Sequence, residues 1–154
     1  MLTLIEEVEA HAAERLVLAE GQTPAAELAR YKRFLKDEAS RLKKLHRGGG
    51  LGREVCRARA AVIDALIRHL LDTAIGLAPL GKFKSPPDIA VVAIGGYGRA
   101  ELNPQSDIDI LFLCDDRLLA KPKPEEFLQS ITDTVLYTLW DVGLKIGHSV
   151  RRVR

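Results

Sequence analysis

The sequence predicts a domain that combines helix and sheet, of the α/β or α+β class, with an all-helical first half. Apolar residues recur at helical spacing from Leu2 to Ile75, and the chain then changes to short apolar runs separated by loops and one further helical stretch. The length of 154 residues suits one domain, or one domain with a helical extension.

The elements follow in order. Residues 2–19 place Leu2, Ile5, Ala12 and Leu16 at roughly helical spacing. Gly21 interrupts, and Thr23-Pro24 reads as an N-cap followed by proline at the first helical position. Leu28, Tyr31, Leu35, Leu42 and Leu45 then form one stripe, which Gly48-Gly49-Gly50 must end because three such flexible residues are too costly to hold in a helix. A third helix is expected from Gly52 to Ile75, with Val55, Val62, Leu66, Leu70 and Ala74 on its apolar face, before Gly76, Pro79 and Gly81 break the chain. The run Ile89–Ile94 reads as a buried strand and Asp107–Cys114 as a second. Pro124 is expected to open a helix carrying Phe127, Ile131, Val135, Leu139 and Trp140, with Trp140, at helical spacing with Val135 and Leu139, assigned to the core. Gly143 closes it, and Leu144–Val150 can form a third strand. Ser85-Pro86-Pro87 and the Lys-Pro pairs at 121–124 read as connecting loops.

Composition narrows the class. Hydrophobic residues at 47 % and charged residues at 29 % argue against disorder. The net charge of +2 demands no nucleic-acid partner. No apolar run approaches the ~20 residues needed to cross a bilayer. Met1 to Leu18 carries Glu6, Glu7, Glu9 and Glu14 where a secretory signal has a basic start and an unbroken apolar stretch, so a cytoplasmic protein with no membrane partner is expected. Cys56 and Cys114 are isolated and read as reduced thiols.

The informative stretch runs from Ala93 to Ile110: Ala-Ile-Gly-Gly-Tyr-Gly-Arg-Ala-Glu-Leu-Asn-Pro-Gln-Ser-Asp-Ile-Asp-Ile. A glycine pair, Gly95-Gly96, leaves a strand and lets a ligand approach the backbone closely; a tight turn with no ligand explains it equally well. In the strand that follows, residues i and i+2 share a face, so Asp107 and Asp109 project together, with Cα atoms about 6.6 Å apart. Two adjacent carboxylates repel, and a divalent cation relieves that repulsion; hard oxygen ligands suit Mg²⁺. A solvated strand end, with Asp107 capping a turn, is the other reading of the triplet alone. Ten residues separate Gly96 from Asp107, enough for one short turn or helix to set the glycines beside the carboxylates.

The pattern Gly-Gly, ten residues, Asp-Ile-Asp resembles the signature of the DNA polymerase β-like nucleotidyltransferase superfamily. The wider wording Gly-Gly-Tyr-Gly-Arg-x-Glu-Leu-x-Pro-x-Ser-Asp-Ile-Asp resembles the bacterial protein-PII uridylyltransferase/uridylyl-removing enzyme family. The run Leu139–Arg151 and the segment Arg57–Asp64 are similar to that family too, so the likeness covers the chain from about residue 24. It implies an α+β fold: an N-terminal helical region, 1–80, followed by a polymerase β-like nucleotidyltransferase mixed sheet with helices, 81–154, truncated at its C-terminal end. It implies that Asp107 and Asp109 are the catalytic carboxylates and Mg²⁺ ligands. Gly95 and Gly96 line the triphosphate, and Ser106 sits beside the metal with its hydroxyl available to a phosphate oxygen. Arg99 contacts phosphate or pairs with Glu101. The implied reaction moves uridylyl from UTP to a tyrosine of the nitrogen-signalling protein PII and releases pyrophosphate.

Three departures stand out. Ala100 occupies a position where the family usually has a loop glycine; if that position needs positive φ, alanine costs about 1 kcal/mol. Leu144–Val150 holds no third carboxylate, and Asp141 and His148 do not match one. Family members are several times longer, so reversal of the transfer and glutamine sensing are expected to be absent and the nucleotide site incomplete. Transfer to another acceptor, or nucleotide binding without turnover, remains open. The basic residues from Arg30 to Arg59 read as solvated helix faces rather than a nucleic-acid surface, since only Tyr31 and Phe34 are interleaved. His148 reads as structural, and His11, His46 and His69 as helix-surface residues. Tyr97 either stacks on a base or pins its turn.

Overall fold

The computed structural model describes residues 1–119 and 125–153. It is an α+β fold of helices around a three-stranded mixed sheet. Helix α1 spans Leu4–Arg15 and opens on a reciprocal cap: the Glu6 N–H donates to Thr3 Oγ1 at 3.2 Å and the Thr3 N–H donates to Glu6 Oε2 at 2.6 Å. Its buried side is Val8, Ala12 and the following Leu16, whereas Leu2 and Ile5 face solvent. Ala12 and Leu16 of the expected stripe are thus buried, whereas Leu2 precedes the cap at Thr3 and Val8 rather than Ile5 completes the buried side.

Thr23-Pro24 does not open the second helix. Pro24–Ala26 forms a 3₁₀ turn without a side-chain cap, and helix α2 runs from Leu28 to Arg47. It ends where the three glycines begin, with Gly49 at φ +98°. Its buried residues are Tyr31, Phe34, Glu38 and Leu42. Glu38 is only 1 % exposed and is paired, accepting from Arg41 at 2.7 Å and meeting His11 Nδ1 at 2.6 Å. His69 likewise is no free surface group, since its Nε2 lies 2.9 Å from the Tyr31 hydroxyl.

Helix α3, Gly52–Leu77, is the centre of the molecule and packs against α1, α2 and α5. Leu66 and Leu70 are fully buried along it. Burying a leucine of this kind stabilises by about 1.5–3 kcal/mol.

Strand β1, Ile89–Ile94, pairs antiparallel with β2, Ile108–Cys114, and β2 pairs parallel with β3, Ile146–Arg152. A one-turn helix α4, Gly95–Gly98, follows β1 directly. A 3₁₀ turn at Asp116–Leu119 follows β2, and helix α5, Glu126–Asp141, precedes β3. Pro124 and the Lys-Pro pairs lie outside the described residues.

The sheet has one packed and one open face. Ile108, Ile110, Phe112 and Cys114 are buried, as are Phe127, Ile131, Val135 and Leu139 of α5. The alternate set on β2, Asp109, Leu111 and Leu113, is only partly covered. Across the pairing these residues share a side with Ile94, Val92 and Ala90 of β1, all exposed. Strand β1 is thus half-exposed rather than buried on both faces. Trp140 is not core either: it is 40 % exposed and lies against Tyr137 and the exposed His148. No helix among the described residues is long and apolar enough to cross a membrane.

Candidate active site

The turn from β1 into β2 builds the site. Gly95 takes φ +64°, a left-handed conformation that glycine adopts without strain, and this turns the chain out of β1 into α4. Tyr97 then points inward. It is 5 % exposed, and its hydroxyl donates to Asp64 Oδ1 of α3 at 2.5 Å. Burial foremost, and then the hydrogen bond to and charge of Asp64, push its pKa far above the ordinary phenol value. Tyr97 therefore pins the turn and is not exposed for base stacking.

The chain leaves α4 through Ala100, which is the one non-glycine among the described residues at positive φ, +56°. The position where the family pattern usually has glycine does demand a left-handed backbone. Leu102 buries itself completely, and residues 103–106 turn back towards β2, with the Ser106 N–H donating to Asn103 O at 3.1 Å. Helix α3 holds this segment from outside the sheet. Cys56 Sγ donates to Asn103 Oδ1 at 3.2 Å, and Arg59 donates to Pro104 O at 3.1 Å. Cys56, Arg59 and Asp64 thus clamp the turn at three points.

Asp107 immediately precedes β2 and Asp109 is its second residue. Both line one cavity of about 770 Å³ together with Gly96, Arg99 and Ser106. Of the residues expected at the site, Gly95 alone is not in the lining: it backs the site, and a Cβ built there would stand 3.4 Å from Asp109 Oδ2. Gly147, the β3 partner of Asp109, lies on the other side of the same carboxylate, where a Cβ would overlap Oδ1. The Asp109 carboxylate thus occupies space left by two glycines, Gly95 at the start of α4 and Gly147 in β3.

Arg99 makes the ion pair that was one of its two expected roles, 3.3 Å from Glu101 Oε2, with both side chains well exposed. Such a pair contributes about 0–1 kcal/mol and can exchange for a phosphate. The Ser106 hydroxyl has no hydrogen bond among the described residues, and neither Asp107 nor Asp109 has an ion-pair partner there. The donor set fits Mg²⁺: two hard carboxylates two residues apart at the start of β2, both open to a cavity large enough for further oxygen ligands. No group of three or more His, Cys, Asp or Glu able to hold an ion occurs among the described residues.

Sequence reasoning missed the part of the cavity wall that lies outside the motif. Gly52, Arg53 and Cys56 line it from the first turns of α3. They are forty or more residues from Gly96, and no local spacing signals their approach.

The description of glutamate-ammonia ligase adenylyltransferase matches residues 3–139. This chain belongs to that family. Among curated proteins, the bifunctional uridylyltransferase/uridylyl-removing enzyme of Novosphingobium aromaticivorans is 38 % identical over 101 residues, covering 65 % of this chain and 10 % of the relative. The enzyme of the same name from Azospirillum brasilense is 37 % identical over 127 residues, 82 % of this chain and 13 % of the relative. That of Stutzerimonas stutzeri is 33 % identical over 135 residues, 88 % of this chain and 14 % of the relative. The aligned part of the chain thus spans between a tenth and a seventh of these relatives. No solved structure matches the chain significantly. The names agree on nucleotidyl transfer and differ in the base, adenylyl for the family and uridylyl for the relatives.

Proposed function

We propose that this chain carries the metal–nucleotide site of a nucleotidyltransferase that moves uridylyl from UTP to a tyrosine of the PII nitrogen-regulatory protein. The observation that carries the reading is the convergence of Asp107, Asp109, Gly96, Arg99 and Ser106 on one cavity beside the start of the central strand β2. Uridylyl is favoured over adenylyl because the relatives that align at 33–38 % identity are named for it.

In this reading Asp107 and Asp109 hold Mg²⁺, which when bound neutralises charge on the polyphosphate. Gly96 gives the phosphates close access to the backbone, and Gly95 keeps the room behind Asp109 free. Ser106 offers its hydroxyl to a phosphate oxygen. Arg99 exchanges Glu101 for phosphate, where a guanidinium bonds two oxygens at once. The acceptor hydroxyl attacks the α-phosphorus. A new O–P bond forms while the bond to the bridging oxygen breaks, pyrophosphate departs and the hydroxyl proton is released. Positioning and electrostatics dominate such transfers, which suits a site made of carboxylates and backbone.

Calorimetric titration with Mg²⁺ and a non-hydrolysable UTP analogue tests the site, and pyrophosphate release with PII tests turnover. Binding is expected to require Mg²⁺ and to vanish in the Asp107→Asn/Asp109→Asn double variant with circular dichroism unchanged. A double variant that binds like the wild type overturns the assignment. Tighter binding of the ATP analogue moves the base preference to adenine. Binding by the chain without pyrophosphate release leaves a nucleotide-binding module.

A further inference from the structure

Building on the reading of the cavity as a nucleoside triphosphate site, we propose that Arg53, on the first turn of α3, binds the terminal phosphates, so that the helical region supplies part of the polyphosphate site. Arg53 lines the same cavity as Asp107 and Asp109. The lining is otherwise unfavourable for a polyanion, since Glu101, Asp107 and Asp109 all contribute carboxylates. Two cations stand against them, Arg53 and Arg99. Arg99 is already engaged by Glu101, whereas Arg53 has no ion pair among the described residues. It is the cation of the cavity wall with its full charge available.

The backbone that carries it is also held in place. Cys56 lies one turn further along α3 and is tied to Asn103, and Arg59 is tied to Pro104 a turn beyond that. These bonds hold the start of α3 against the segment that carries Ser106 and Asp107, so Arg53 cannot drift from the carboxylates as a loop arginine would. The helix end adds to the same field. Gly52 lines the cavity and Leu51 provides no side-chain cap, so the positive end of a 26-residue helix lies beside the site. Carboxylates on the sheet and a guanidinium on the helix give the site a polarity: metal at one wall, the leaving phosphates at the other.

The test titrates the full chain with Mg²⁺ plus the non-hydrolysable UTP analogue and with Mg²⁺ plus tripolyphosphate. Binding of Mn²⁺ alone, by electron paramagnetic resonance, serves as the readout of the carboxylate pair. Arg53→Ala is expected to weaken both phosphate ligands about 10- to 100-fold, the range for losing charge-assisted hydrogen bonds, and to leave Mn²⁺ affinity within about twofold. Arg53→Lys is expected to recover part of the loss, and it keeps the proposal testable if the alanine variant folds poorly. Unchanged affinity for the analogue overturns the role of Arg53 while leaving the nucleotide site standing. Equal weakening of Mn²⁺ and analogue also overturns it, since Arg53 then supports the cavity as a whole. A wild-type chain that binds no analogue removes the nucleotide site and this inference with it.

Discussion

Gly147→Ala separates the site from the fold. Gly147 sits in β3 opposite Asp109, and a methyl group there would overlap Asp109 Oδ1. The Gly147 backbone is not in the left-handed region, so alanine meets no conformational penalty. Two small stability effects oppose each other. Alanine is favoured over glycine inside a strand by about 0.5–1 kcal/mol. Turning the Asp109 side chain out of the way costs about 0.5–1.5 kcal/mol if it leaves its rotamer well. The midpoint of urea unfolding should therefore shift by less than the equivalent of about 1 kcal/mol. Binding should respond far more, because the displaced carboxylate is one of two proposed metal ligands. Loss of a group that orients a ligand typically lowers metal affinity about 10- to 100-fold. Titration with Mg²⁺ and the UTP analogue, alongside urea unfolding of the same preparation, reads both quantities. Wild-type binding in a stably folded Gly147→Ala chain would refute the placement of the Asp109 carboxylate between the two strands. A stability loss of several kcal/mol would show instead that Gly147 has a structural duty beyond making room.

Further expectations concern the turn and the helices. Ala100→Gly should stabilise the chain by about 1 kcal/mol, a rise of about 2–4 °C in Tm, because it removes an alanine held at φ +56° while exposing little apolar surface; an unchanged or lower Tm contradicts the strained backbone. Ala100→Val should do the reverse, since a β-branched residue tolerates that region least. Tyr97→Phe should cost about 1.5–3 kcal/mol by deleting a hydrogen bond to the Asp64 carboxylate; a stability loss too small to measure would mean that the bond does not anchor the turn. His69 has its pKa lowered from 6.5, chiefly by burial, so the folded state resists the proton that the unfolded chain accepts. Its share of stability is complete above pH 6.5 and declines as the pH falls below that value towards the folded-state pKa. His69→Gln should flatten that part of the urea-midpoint profile, and an identical slope in both proteins would assign the dependence to other groups.

Much of the site was legible because its signals are local. Period-2 alternation predicts that Asp107 and Asp109 project together, and both open on the same cavity although Asp107 stands one residue before β2. Three consecutive glycines end α2 at Arg47 for reasons internal to those residues. The pattern departure at Ala100 flagged the strained position correctly, since the φ demanded there belongs to the turn itself. Local rules failed where neighbours decide. Thr23-Pro24 has the look of a helix start, yet α2 begins at Leu28. Trp140 keeps helical spacing with Val135 and Leu139, yet it lies at the edge of the buried stripe beside His148. Strand β1 is continuously apolar, which suggests cover on both faces, but its Val92 and Ile94 side stays open next to Asp109.

By itself, then, the amino-acid order determined most of the elements, the glycine turn and the closeness of the two carboxylates, because torsional preference and side-chain alternation act over a few residues. Only the tertiary structure decided that β3 presents Gly147 to Asp109 and that α3 brings Arg53, Cys56 and Asp64 to a turn some forty residues away. Those contacts arise from the packing of α3 against α5 and the pairing of β2 with β3, a register set by burying one whole face of the sheet.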